Sequence, residues 1–244
     1  MKTAFITGVT AGIGAAAARR FVAGGWRVIG TGRRAERLNQ LAGELGEALV
    51  PLELDMVAAD FDAVTRAHGP VDLLINNAGL APPMSNLQEA GQAPLDTVIA
   101  TNVSGLVSLT RAMLPGLIER KGGVINLSSV AATYPYRGGA VYAGTKAFVR
   151  QFSLGLRCDL HGTGVRVTSI EPGMAETEFT IVRNGGDREA SDALYANMEP
   201  MTAEDLAETL WWVATLPPHL NINTLELMPV NQSWAGFAVH RREG

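Results

Sequence analysis

Apolar positions recur along the chain in two alternating rhythms. Short runs rich in branched side chains read as buried strands: T-A-F-I-T at 3–7, R-V-I-G-T at 27–31, A-L-V-P-L-E-L at 48–54 and V-D-L-L-I at 71–75. G-V-I-N-L-S at 123–128, V-R-V-T-S-I at 165–170 and N-T-L-E-L-M at 223–228 continue the series. Between them lie longer segments expected to be helical. They are an alanine-rich stretch ending near Ala23, a charged amphipathic stretch over 34–45 and a short piece around 58–67. A long helix from Leu95 to Glu119, one from Tyr142 to about His161, and one over 203–214 complete the set. Strand and helix alternate without repeats or linkers, which predicts an α/β fold: one doubly wound parallel sheet of about seven strands in a single domain, 1–244. The stretch 174–200 is polar, holds Gly185-Gly186 and shows no clear period, in the manner of a mobile lid.

Composition narrows the function classes. The chain has 244 residues, enough for one α/β unit with an ample core. A net charge of -4 gives no global pull toward nucleic acid or anionic lipid, so neither is an expected partner. No apolar run approaches the ~18 residues of a membrane span. M-K-T-A-F-I-T-G enters a strand at once and leaves no room for a signal peptide, so the cytoplasm is the expected compartment. Cys158 is the only cysteine, which excludes a disulfide framework and cysteine metal sites, and it is expected to pack within its helix. His68, His161, His219 and His240 show no metal spacing, so no metal site is expected.

The first strand runs into T-G-V-T-A-G-I-G, Thr7 to Gly14, and then a helix. Strand, glycine-rich turn and helix together form a Rossmann-type phosphate cradle. Gly8 allows the tight turn, Gly12 lets backbone approach a phosphate, and Gly14 lets the helix lie close to the sheet, with the free N–H groups of the helix start facing the anion. The second strand ends without the acid that would bind an adenine ribose 2′-hydroxyl. Gly32, Arg33 and Arg34 stand there instead, and fork-shaped cations suit a 2′-phosphate, so NADP(H) is expected over NAD(H). Asp55, before Met56, either accepts from the adenine amino group or serves as a turn residue. N-N-A-G, Asn76 to Gly79, falls at the ligand edge of the sheet, where asparagine also makes turns unaided.

Chemistry concentrates between Ser129 and Lys146. Tyr142 and Lys146 stand four apart on a helix, one above the other. An ammonium there favours the phenolate and is expected to lower the phenol's pKa from its usual ~10, so that it trades protons near neutrality. Asn102, amid Val98, Val103, Leu106 and Val107, is either a catalytic amide or a structural one capping a neighbouring carbonyl.

With these residues in place the chain resembles a short-chain dehydrogenase/reductase over essentially its full length. The family's glycine motif appears in Thr7-Gly8 to Gly12-Ile13-Gly14 and its N-N-A-G in Asn76 to Gly79. Its catalytic quartet falls on Asn102, Ser129, Tyr142 and Lys146, with Pro172-Gly173 and Thr177 matching the loop that holds the nicotinamide carboxamide and phosphates. The resemblance implies cofactor contacts from Gly8, Thr10, Gly12, Ile13 and Gly14, from Arg33, Arg34, Asp55 and Met56, and from Asn77, Ala78 and Gly79. Tyr142 and Lys146 are implied to face the nicotinamide ribose, and Asn102 to hold a water linking Lys146 to solvent.

T-G-R-R-A-E-R-L, Y-P-Y-R-G-G-A-V-Y-A-G-T-K-A-F-V-R-Q-F-S-L and L-N-I-N-T-L-E-L-M-P-V are similar to a narrower branch, the NADP-dependent 3-hydroxy acid dehydrogenases. That branch implies serine, L-allo-threonine or 3-hydroxypropionate-type substrates and a homotetramer. Ser129 and Tyr142 would hold the substrate oxygen. Its carboxylate wants an arginine fork, for which Arg183 is favoured over Arg188 and Arg137, against the plainer reading of a solvated loop cation. The competing expectations are a ketone or β-ketoacyl reductase and an NADP(H)-binding redox sensor with little turnover. The tail His240-Arg241-Arg242 reads as a solvated end or an arm reaching a neighbouring subunit.

Overall fold

The computed structural model describes residues 1–234, so the tail His240-Arg241-Arg242 lies outside the described residues. Strand β1 (Thr3–Thr7) is followed by α1 (Gly12–Ala23), β2 (Arg27–Gly32), α2 (Ala35–Leu45) and β3 (Leu49–Glu53). Then come α3 (Phe61–His68), β4 (Leu73–Asn76), α4 (Gln92–Ile99) and α5 (Leu106–Arg120). β5 (Gly123–Leu127), α6 (Ala140–Asp159), β6 (Arg166–Pro172), α7 (Glu178–Arg183), α8 (Arg188–Tyr195), α9 (Ala203–Thr215) and β7 (Thr224–Leu227) complete the described chain. The strands form one all-parallel sheet in the order β3-β2-β1-β4-β5-β6-β7. The order reverses between β1 and β4, and ligands of such sheets bind outside the carboxyl ends at that crevice. Register brings the site there: Thr7 pairs with Thr31, and Asn76 with Asn126.

Both faces are covered. On one, Ala16, Ala17 and Phe21 of α1, Leu38 and Leu41 of α2 and Leu210 of α9 pack over β1 and β2, with Phe21, Trp26 and Trp211 meeting edge to face. On the other, Leu109, Met113 and Leu117 of α5, Phe61 of α3 and Leu156 of α6 pack over Phe5, Ile29 and Leu74. Burial of a side chain like Phe21 stabilises by roughly 1.5–3 kcal/mol, and the small residues Ala15 to Ala18 let α1 lie close to the sheet and α9.

The structure departs from the sequence expectations at four places. The expected Leu95–Glu119 helix begins earlier, at Gln92, because Pro94 is tolerated in a first turn. It is also interrupted: residues Ala100–Gly105 form a π turn that holds Asn102. Gln92–Arg120 as a whole is long and apolar enough to cross a membrane by length and composition, and here it covers the sheet. The 174–200 segment is not structureless but carries α7 and α8, started by the side-chain caps Thr177 and Asp187. Cys158 is exposed rather than packed, because the helix rotation at that position faces outward near the end of α6.

Candidate active site

β1 ends at the fully buried Thr7, whose hydroxyl accepts from the backbone N–H groups of Asn77 (3.0 Å) and Ala78 (2.9 Å). The Asn77 amide donates back to the Thr7 carbonyl at 2.8 Å and the Gly8 carbonyl at 3.3 Å. The segment after β4 thus fixes the glycine turn after β1. A Cβ on Gly14 would lie 2.2 Å from the Gly8 carbonyl oxygen, so only glycine lets α1 start here. Gly12 sits at φ +52°, and a Cβ there would lie 3.3 Å from Thr177 Cβ. The residue capping α1, Ala11, supplies no side-chain acceptor and the first turn holds no acid. The N-terminal N–H groups are therefore left for an anion, and the cradle fits a dinucleotide pyrophosphate.

Arginines cluster beyond the end of β2. Arg34 donates from Nε and Nη2 to Thr10 Oγ1, at 3.1 and 3.0 Å. Its Nη1 and that of Arg37 both donate to Glu178 Oε2 at 2.8 Å. Burial raises the Glu178 carboxyl, yet the bonds from Arg34 and Arg37 outweigh it and hold the pKa below the usual range. Arg33 is exposed at the strand end. Asp55 Oδ1 accepts from Val57 N at 2.9 Å, a turn contact made by one of its two carboxylate oxygens. Met56 is buried beneath Gly105 of the π turn.

Ser129 follows β5, accepts from Ala131 N at 3.1 Å and donates to the Pro172 carbonyl at 3.4 Å, at the end of β6. Gly173 follows Pro172 and donates its N–H to the Leu227 carbonyl. Tyr142 and Lys146 lie in the first turns of α6, 8% and 6% exposed. The lysine Nζ donates to the Leu127 carbonyl at 2.7 Å and stands 5.7 Å from the Tyr142 ring centroid.

The expected lowering of the phenol by this lysine is not what the geometry gives. Burial pushes Tyr142 up to about 12, against a hydrogen bond from Ser129, with Tyr136 raising it and the Arg183 charge lowering it. Burial likewise pushes Lys146 down to about 8. Desolvation outweighs the i, i+4 spacing because the amine points at a carbonyl rather than at the phenol oxygen.

The Asn102 side chain bonds the Leu80 backbone and the Thr145 hydroxyl. Its Oδ1 accepts from Leu80 N and its Nδ2 donates to the Leu80 carbonyl, both at 2.8 Å, while a second N–H reaches Thr145 Oγ1 at 3.0 Å. Through these bonds Asn102 pins the segment after Gly79 to α6. Gly79 itself is close to both Asn102 Oδ1 and Lys146 Nζ.

Arg183 closes the cleft. Its guanidinium carbon lies 5.6 Å from the Tyr142 ring centroid and 5.5 Å from that of Tyr136, and Nη2 donates to Tyr136 Oη at 3.1 Å. Nε donates to the Pro82 carbonyl at 3.3 Å. Phe179, one turn earlier, tilts against Tyr142 with centroids 5.8 Å apart. Arg137 instead bonds Asn86 Oδ1 at 3.3 Å, and Arg188 starts α8 on the exterior.

Residues 2–187 match the family model described as short chain dehydrogenase. The chain belongs to the short-chain dehydrogenase family. Within that family it is 58% identical to the serine 3-dehydrogenase of Agrobacterium fabrum over 244 residues, covering 98% of each chain. It is 51% identical to sulfoacetaldehyde reductase 2 of Chromohalobacter salexigens, covering 97% of each. Among solved structures, the closed form of serine dehydrogenase complexed with NADP+ superposes with a TM-score of 0.95 at 51% identity, covering 98% of this chain and 100% of that one.

Four residues of this short-chain dehydrogenase cleft escaped the sequence reading. Arg37 follows Arg34 by one helical turn, a spacing visible in R-R-A-E-R. Tyr136 and Phe179 carry no local signal, and Glu178 finds its partners 144 and 141 residues away.

Proposed function

We propose that this short-chain dehydrogenase moves a hydride between NADP(H) and the carbinol carbon of a small 3-hydroxy acid. The observation that carries the reading is the Arg183 guanidinium standing 5.6 Å from the ring of buried Tyr142, beside Ser129. An alcohol oxygen held by Ser129 and Tyr142 leaves an acid group two bonds beyond the carbinol carbon within reach of that cation. Serine and sulfoacetaldehyde, the compounds in the relatives' names, both place their anionic group at that separation. A neutral ketone makes no use of Arg183.

The glycine turn would hold the pyrophosphate of NADP(H) and Arg34 and Arg37 its 2′-phosphate, and the bound cofactor would supply the hydride acceptor or donor. The protein's residues handle the rest. Tyr142, kept protonated by the burial that raises its pKa to about 12, gives its proton to the carbonyl oxygen in reduction. Oxidation runs through its phenolate, which takes the hydroxyl proton after the phenolic proton has left to solvent. Ser129 donates to the oxygen as it gains charge. Lys146 has three N–H donors, one of them on the Leu127 carbonyl, and the other two would hold the ribose hydroxyls of the bound cofactor. Asn102 keeps the Gly79–Leu80 segment, and with it that wall of the cleft, in place. Phe179 and Tyr136 shield the reacting centre from water.

The test is a screen of NADP+ reduction over L-serine, the threonine isomers and 3-hydroxypropionate, run beside NADPH oxidation with bulky ketones. Turnover of hydroxy acids with kcat/KM well above that for ketones is expected. Ketone turnover without hydroxy acid turnover would overturn the substrate reading.

A further inference from the structure

α7 is only six residues long and none of them is buried, so the helix has little hydrophobic anchorage of its own. A helix this short does not persist without tertiary contacts. Both of its ends are tied by charge. At its first residue, Glu178 Oε2 receives Arg34 Nη1 and Arg37 Nη1, each at 2.8 Å. At its last, Arg183 bonds Pro82 and Tyr136 over the Tyr142 ring. Five residues of helix rise about 7.5 Å, so α7 is a strut between the arginines of the adenosine end and the acid-binding end of the cleft. Glu178 offsets one of the two charges on Arg34 and Arg37, and the cation left over, with exposed Arg33 beside it, still favours a phosphate.

We infer that Glu178 is a positioning residue for Arg183: its bonds to Arg34 and Arg37 set where α7 stands and hence where the guanidinium meets the substrate's acid group. This rests on the reading of Arg183 as the acid-binding cation. The carboxylate touches neither substrate nor the reacting atoms. It acts through the helix, and it bonds an arginine that the sequence places 144 residues away.

The experiment uses the NADP+-loaded protein and three variants, Glu178→Gln, Arg183→Ala and the pair together. Glu178→Gln removes the charge with little change of shape. It is expected to raise the KM for L-serine about tenfold while the NADPH Kd, read by fluorescence titration, stays within about threefold. In the Arg183→Ala background the same change is expected to add nothing, the signature of two groups acting in series. A readout independent of turnover is tryptic cleavage after Arg183, followed by mass spectrometry, which should speed up about tenfold in loaded Glu178→Gln as α7 loses its anchor. If Arg183→Ala raises the serine KM but Glu178→Gln changes neither KM nor cleavage, the inference is wrong and the acid-binding reading stands. Additive effects in the pair, or an NADPH Kd that rises as much as KM, also overturn it. If Arg183→Ala leaves KM unchanged, the acid-binding reading fails and takes the inference with it.

Discussion

Lys146 is a charge held where a charge is costly. Burial takes its pKa from 10.5 down to about 8, so between those values the unfolded chain carries a proton that the folded chain lacks. Stability therefore rises with pH across that window, and the full cost is present below about 8. Tyr142 acts oppositely: its pKa goes from 10.0 up to about 12, so its contribution falls as pH climbs above 10. Lys146→Met retains Tyr142 and removes only the amine. Its melting temperature relative to wild type should be higher at pH 7 than at pH 10, by several degrees, since the lysine shift is worth on the order of 3 kcal/mol. A pH-independent difference in thermal scans would show that the amine is not desolvated. The Y-x-x-x-K spacing was legible in the sequence, but the direction of the tyrosine shift was not. Spacing along a helix says which side chains are neighbours, whereas burial is decided by Phe179 and Arg183, which arrive from another part of the chain.

The π turn at Ala100–Gly105 shows how an element can be set by a single side chain. Asn102 makes three hydrogen bonds from inside the helix layer, two to Leu80 and one to Thr145, and the extra residue of the turn places it there. Asn102→Leu keeps the volume and strands the Leu80 N–H and carbonyl. Urea unfolding should register a loss of about 2 kcal/mol or more, with the NADPH Kd weakened because Gly79 lies beside the same amide. Unchanged stability would mean that water replaces the amide at no cost and that its role is chemical after all. The turn left no mark on the apolar pattern, because one inserted residue does not disturb a period of 3.6 over so short a span. α7 and α8 were hidden for a similar reason: six and eight residues are too few turns to repeat, and their only local signals were the caps Thr177 and Asp187.

At the scale of the whole molecule the sequence was far more readable. Seven branched runs separated by helical stretches leave little freedom once crossovers must be right-handed, and the glycine turn marks β1 as the strand beside the crevice. Long-range pairings that converge on the crevice from different crossovers were not readable. Arg34 and Arg37 reach Glu178, Arg183 reaches Pro82 and Tyr136, and Asn77 reaches Gly8. The sheet brings all of these to its carboxyl edge, where the proposed mechanism has the buried phenol of Tyr142 pass a proton to and from a substrate oxygen beside Ser129. The most direct measurement is therefore the kcat of Tyr142→Phe on its best hydroxy acid, taken together with its NADPH Kd. Positioned acid–base help is worth about 10²–10⁴ in rate, so kcat should drop by at least that range's lower bound while the Kd holds. Turnover at the wild-type rate would contradict the account.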